Sequence, residues 1–221
     1  MDRPKDIGGD MQELTDLDDQ PLAALPPRER ILRTASDLFY RFSIHTVGVD
    51  RIIAESGVAK MTFYKHFPSK ARLVDDYLRH STVVWMAMLS NAAERPDLSP
   101  IERVMAMFDA LDGSFQKQPF HGCPFVKGLA EFGPDANSPE VQATIAGYFR
   151  KLHDMIASVI APLALSDPDK AVVQISSLIQ GSIVIAQATP DRAVAEANRD
   201  AAKVLLEAAA VRHGADIAVV A

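Results

Sequence analysis

Residues 49–70 read Val49-Asp50-Arg51-Ile52-Ile53-Ala54-Glu55-Ser56-Gly57-Val58-Ala59-Lys60-Met61-Thr62-Phe63-Tyr64-Lys65-His66-Phe67-Pro68-Ser69-Lys70. An apolar-periodic segment, Val49, Ile52 and Ile53, runs into Ser56-Gly57-Val58, and a second short segment carries Phe63 and Phe67 four apart. Two short helices joined by a tight turn containing Gly are the signature of a helix-turn-helix, whose second helix lies in the DNA major groove. At 100° per residue, Phe63 and Phe67 sit about 40° apart and define an inward face. Met61, Thr62 and Lys65 then point outward, where base edges would be. Lys60 and Tyr64 lie on one flank and His66 on the other, within reach of the phosphate walls, whose contacts position a protein without specifying sequence. Lys65 can donate to guanine O6 and N7, and the methyls of Met61 and Thr62 can touch a thymine methyl. Thr46 and Arg51, near the first helix, can clasp a phosphate. Asp50 favours the helix N-terminus but repels DNA if it faces it. A plain surface helix is the bland alternative.

Toward the N-terminus, residues 1–25 carry seven Asp and Glu against Arg3 and Lys5, with few apolar residues, and read as a disordered acidic leader. Pro26-Pro27 marks a helix start, and Ile31, Leu32, Ala35, Leu38, Phe39 and Phe42 recur at helical spacing. Between Pro26 and His80 there are ten Lys and Arg against six Asp and Glu. The whole chain has a net charge of −6, so positive charge is concentrated in one segment. That is the footprint of a DNA-contacting module inside an acidic protein. The overall charge argues against a general nucleic-acid coat protein.

Toward the C-terminus the pattern stays helical and period-2 runs are scarce, which makes the chain all-α, with about nine helices. Ser69 is placed to cap a long helix through Leu73, Val74, Tyr77, Leu78, Val84, Trp85 and Met88. Ser99-Pro100-Ile101-Glu102 is a capping box with proline at the first helical position. His121-Gly122-Cys123-Pro124-Phe125 opens a short helix, Ser138-Pro139-Glu140 and Asp167-Pro168 open two more, and Thr189-Pro190-Asp191 opens the last. The last two helices carry broad stripes of small and apolar residues. Ile175, Ile179, Ile183 and Ala186 on one, with Ala197, Ala201, Val204 and Ala208 on the other, are expected to form a homodimer interface as half of a four-helix bundle; an intrachain core is the alternative. The expected domains are the leader at 1–25, the DNA-binding domain at 26–72 with its motif at about 48–67, a ligand-binding and dimerisation domain at 73–212, and a frayed end at 213–221. Cys123 is the one cysteine, so no intrachain disulfide can form and a reducing cytoplasm fits. The sequence shows no signal peptide and no run of about 18 apolar residues suited to a bilayer.

The residues ILRTASDLF, then VDRIIAESGVAKMTFYKHFPSKARLVDDYL, resemble the DNA-binding domain of the TetR family of bacterial transcriptional repressors. The combination Gly57-Val58-x-x-x-Thr62-x-Tyr64-x-x-Phe67-x-x-Lys70 carries the likeness. GCPF and GSIVIAQATPD look like a subgroup of that family. The resemblance implies an N-terminal three-helix DNA-binding domain joined by a long helix to a C-terminal helical ligand-binding and dimerisation domain. It implies a dimeric, cytoplasmic, nucleoid-associated repressor, released from a pseudo-palindromic operator by a small-molecule inducer. It also implies DNA contacts, mostly to the backbone, at the positions of Thr62, Tyr64, His66 and Lys70. Where the family often has Thr or Ser, this chain has Gly48, which has no hydroxyl for phosphate, although its N–H can still serve.

For the inducer, Trp85, Met88, Phe108, Phe115, Cys123, Phe125, Phe149 and His153 are candidates to line an apolar cavity, with His153 and Gln180 as polar anchors. Most aromatic residues at helical spacing are core. Cys123, next to His121 and a helix N-terminus, invites a redox- or electrophile-sensing reading against that of a small buried hydrophobe. An enzyme with a Cys123 nucleophile and His121 or His153 as base is a further alternative, without an orienting third group or an oxyanion loop. Another is an interaction module that has lost DNA binding. The six histidines show no metal-ligand spacing, and no cofactor is expected.

Overall fold

In the computed structural model, backbone is described for residues 20–116, 120–133, 138–189 and 193–220, and side chains through Ala210. The described residues form nine α-helices and two 3-10 turns, with no strand. The helices are α1 (Pro27–Arg41), α2 (Val49–Ser56), α3 (Lys60–His66), α4 (Lys70–Ala93), α5 (Pro100–Gln116), α6 (Pro124–Glu131), α7 (Pro139–Ile160), α8 (Pro168–Ala188) and α9 (Val194–Val220). The all-α expectation and its count of about nine therefore hold.

Helix starts follow the local chemistry. Proline occupies the first position of α1, where its missing N–H has no intrahelical partner to lose. The Ser69 hydroxyl accepts from the Arg72 N–H at 3.1 Å and starts α4. At α5 the capping box closes both ways: the Ser99 N–H donates to Glu102 at 2.8 Å, and the Glu102 N–H donates to the Ser99 hydroxyl at 3.4 Å. Asp167 accepts from the Lys170 N–H at 3.1 Å and caps α8. The Pro190-Asp191 start expected for the last helix lies outside the described residues.

The chain divides into two compact units. One holds the residues up to Val84 together with Pro124–Ile145; the other holds Trp85–Cys123 and the residues from Ala146. In the first unit α1 packs on α2 and α3. Ile31, Leu38, Phe39, Ile52, Phe63 and Phe67 are fully buried there. At about 1.5–3 kcal/mol for each large apolar side chain, this cluster dominates the unit's stability. In the second unit α9 packs on α5 and α8, and α5 packs on α8.

Two expectations need correction. Of the leader, residues 1–19 lie outside the described residues, but its end is structured: Leu22–Ala24 is a 3-10 turn and Leu25 is 4% exposed. Helix α9 continues to Val220, past the Arg212 end expected from sequence. By length and composition alone, α8 is apolar enough to cross a membrane, although Gln and Ser interrupt it so that it holds no unbroken run of about 18 apolar residues. Its stripe from Ala171 to Ala186 is buried in the second unit, as in the core helix of a folded domain.

Candidate nucleic-acid interface

The turn of the motif is built by Gly57 and Arg30. Gly57 ends α2 with φ 64°, a left-handed conformation that favours glycine. The Arg30 guanidinium, projecting from α1, donates to the Ser56 carbonyl at 3.0 and 2.7 Å and also to the Gly57 carbonyl. These are carbonyls that a helix end leaves without intrahelical donors. Arg30 is therefore a structural arginine, a role that spacing alone did not reveal.

On α3, Phe63 and Phe67 are buried, as the helical wheel requires, and their rings lie 6.2 Å apart. The opposite face carries Met61 at 83% exposure and Tyr64 at 44%. Lys60 and Lys65 are exposed, while Thr62 and His66 are half-buried. The Tyr64 ring stands edge-on to Phe63 at 5.3 Å, which fixes the direction of its hydroxyl end. Among the described residues no ion pair engages Lys65. Lys60, by contrast, lies 3.7 Å from Asp50 on an exposed surface, where such a pair is weak and readily exchanged for phosphate.

Much of the basic charge has other employment. Asp75 and Asp76 are buried on α4. Arg79 pairs with Asp75 at 2.9 Å, Arg72 reaches Asp76 at 3.0 Å, and Arg28 also pairs with Asp76. Thr144 donates to the other oxygen of Asp75 at 2.6 Å. Buried carboxylates need such partners, because an unpaired buried charge is strongly destabilising. The DNA-facing cations are therefore fewer than the count of ten implies.

Ahead of α2, Gly48 is extended at φ −75° and offers no side-chain cap. Thr46 is exposed, and its hydroxyl donates to the Ser43 carbonyl at 3.0 Å. Arg51 stacks over Phe42 at 4.6 Å and pairs with Glu55 at 2.7 Å, both ends remaining exposed. Lys70 donates to the His45 carbonyl at 3.3 Å. Burial pushes its ammonium pKa down, against an opposing pull from Glu131. The structure thus brings Thr46, Gly48, Arg51, Lys60, Met61, Thr62, Tyr64, Lys65, His66 and Lys70 into one unit. Sequence reasoning missed Glu131, whose carboxylate organises the loop before α2; nothing local in the sequence links residues so far apart.

In the second unit, Trp85, Phe108, Phe115 and Cys123 are buried, and Met88 and Phe149 half-buried. Phe125 belongs to the first unit. His153 faces solvent, its Nδ1 3.4 Å from Asp154, which removes it as an interior anchor. Gln180 keeps both amide atoms buried. It lies beside Tyr148, whose hydroxyl pKa is raised by burial, with Cys123 adding to the rise. Tyr148 was not singled out in the sequence, because a lone tyrosine in an apolar stripe reads as core. Gly122 has φ 85°, and a Cβ there would meet the Gln187 side chain at 2.0 Å. This interior therefore brings Cys123, Tyr148 and Gln180 together, with Gln187 packed on Gly122.

The stripe Ile175, Ile179, Ile183 and Ala186 is buried within the single chain. On α9 the buried residues are Ala195, Ala202 and Leu206, while Ala197, Ala201, Val204 and Ala208 are exposed. The α8 stripe expected at a dimer interface is accordingly core, and α8 exposes Val173, Val184 and Ile185 instead.

The model of the bacterial regulatory proteins of the tetR family matches residues 31–77. An uncharacterised helix-turn-helix-type transcriptional regulator of Lactococcus lactis subsp. lactis is 26% identical over 184 residues, covering 81% of this chain and 93% of that protein. A TetR-family transcriptional regulator from Streptomyces coelicolor superposes with a TM-score of 0.77 at 26% identity, over 83% of this chain and 90% of that one. A TetR-type regulator from Streptomyces avermitilis does so with a TM-score of 0.73 at 26% identity, over 84% and 98%. Residues 31–77 thus match the tetR family of bacterial regulatory proteins, and over most of its length the chain is similar to DNA-binding transcriptional regulators of that family.

Proposed function

We propose that the protein is a dimeric repressor that reads a pseudo-palindromic operator with α3 and leaves it when a small molecule occupies the second unit. The observation that carries the DNA half of this reading is the outward face of α3. Met61, Tyr64 and Lys65 are exposed over a buried Phe63–Phe67 base, and among the described residues no acidic partner holds Lys65. Lys65, Met61 and Thr62 meet base edges. Tyr64, His66 and Lys60, with Thr46, Gly48, Arg51 and Lys70 ahead of and behind the motif, meet phosphates.

Dimerisation follows from the faces that α8 and α9 leave uncovered. Val173 at 59% exposure, Val184 and Ile185 at 46% and Val204 at 65% join the exposed Ala197, Ala201 and Ala208. Two such faces can pair around a two-fold axis, giving the four-helix bundle, and pair two α3 helices with two half-sites. The inducer is a small molecule with an apolar body and one or two polar groups. Its polar groups meet Gln180 and Tyr148; Trp85, Met88, Phe108, Phe115 and Phe149 supply the apolar lining. Cys123 belongs to that wall. Its burial in the second unit supports packing over sensing, and a Cys123→Ser variant with an unchanged oxidant response would agree. The site of action is the nucleoid in the cytoplasm.

The test is a gel-shift titration against the DNA beside the protein's own gene. Binding should weaken linearly in log–log form as salt rises, because each neutralised phosphate releases counterions. Failure of that DNA to bind would count against the reading.

A further inference from the structure

The loop from Ser43 to Gly48, which leads into α2, is held by a side chain 86 to 88 residues further along. The Glu131 carboxylate at the end of α6 accepts from the Ile44 N–H at 3.0 Å through Oε1. Through Oε2 it accepts from the Ser43 hydroxyl at 3.0 Å and the His45 N–H at 2.6 Å. The same oxygen lies 3.1 Å from His45 Nδ1, and Phe132 stacks on the His45 ring at 5.1 Å. Bonds from N–H groups to a carboxylate are charge-assisted and short, and several on one group define its neighbours' geometry.

Helix α6 is itself seated firmly in this unit. Lys127 donates to the Tyr40 carbonyl at 2.6 Å. At Gly128 an added Cβ would meet Ile145 at 2.8 Å. So the clasp is not a loose surface pair.

We propose that Glu131 is a positioning residue for DNA binding. It fixes the loop so that Thr46, the Gly48 N–H and the N-terminus of α2 meet phosphate together, and it places Lys70 by holding the His45 backbone that Lys70 binds. This rests on the DNA reading of the preceding subsection. The sign of the effect separates it from plain electrostatics. A carboxylate in a DNA-binding unit repels phosphate, so on charge alone its neutralisation should tighten binding. Positioning requires the reverse. Glu131→Gln keeps one acceptor but turns an NH2 group toward groups that are themselves donors.

The experiment is a fluorescence titration of the full chain against a labelled duplex from the DNA beside its own gene, at several NaCl concentrations. Glu131→Gln, Ser43→Ala and Tyr64→Ala are compared with the unsubstituted protein, and thermal melts establish that each variant is folded at the assay temperature. The expected result for Glu131→Gln is a loss of about ten-fold in affinity, with the log–log salt slope reduced by about one, the signature of a lost phosphate contact. Binding equal to or tighter than that of the unsubstituted protein, or weaker with an unchanged slope, overturns the proposal. Should Glu131→Gln fail to fold, Ser43→Ala removes one donor of the clasp and is judged by the same slope. If the unsubstituted protein shows no salt-dependent binding, the DNA reading itself falls. If Tyr64→Ala weakens binding while the clasp variants do not, only the role of Glu131 falls.

Discussion

At the residue scale, the proposed function divides the exposed side chains of α3 into reader and anchor. Lys65 is exposed and, among the described residues, unengaged by any acid, so its ammonium is available to a base edge. Lys65→Ala should cost about 1–3 kcal/mol on the preferred duplex and flatten the preference at one position of each half-site; competition with singly substituted duplexes measures it. Tyr64→Ala should instead weaken binding by a similar factor on every duplex. Gly57→Ala tests the turn. Its φ of 64° and the Arg30 guanidinium 3.0 Å from an added Cβ both oppose the substitution. It should destabilise the protein by about 1–2 kcal/mol, read from chemical denaturation. Sequence patterning made the face of α3 legible because Phe63 and Phe67 are large and four apart. It did not show which arginines serve DNA: Arg28, Arg72 and Arg79 are committed to Asp75 and Asp76; the Arg72 and Arg79 pairs are i,i+4 within α4 and locally written, but the Arg28–Asp76 pair between α1 and α4 has no local sequence signature.

At the scale of the element, caps proved the most legible features. Ser69, Ser99 with Glu102, and Asp167 act within three residues, so their hydrogen bonds are written locally in the chain. Helix α9 was not legible in the same way. Alanine occurs around its whole circumference, so small-residue periodicity does not distinguish Ala195 and Ala202, which are buried, from Ala197 and Ala201, which are exposed. The α8 stripe was seen correctly as a stripe but given to the wrong partner, since periodicity identifies a buried face and not what covers it. Truncating core residues should separate stability from recognition. Phe63→Ala should lower stability by about 3–5 kcal/mol and abolish DNA binding through loss of α3, as denaturant titration followed by circular dichroism would show.

At the scale of the whole molecule, the proposed function has one copy of the motif read one half-site and a second copy held at fixed spacing read the other. Charge placed on the exposed stripe should break the pair without unfolding the chain. Val204→Asp, at a position 65% exposed, should give a monomer in sedimentation velocity with near-normal helicity and DNA binding weakened by at least ten-fold. Ile179→Ala, at a buried position, should lower stability by about 2–5 kcal/mol and leave the sedimentation of the folded protein unchanged. The division of the chain into units also shows what sequence does not record: residues 124–145 pack with the DNA-binding helices, an association made by distant contacts such as Glu131 to Ile44 and Thr144 to Asp75.

The most direct test is a hydroxyl-radical footprint of the full chain on the DNA flanking its own gene, repeated with Tyr64→Ala at matched salt. Two protected half-sites related by two-fold symmetry, fading as salt rises and lost in the variant at the same concentration, are the result expected of paired α3 helices. Protection at a single unsymmetrical patch, or protection unchanged by Tyr64→Ala, would contradict it.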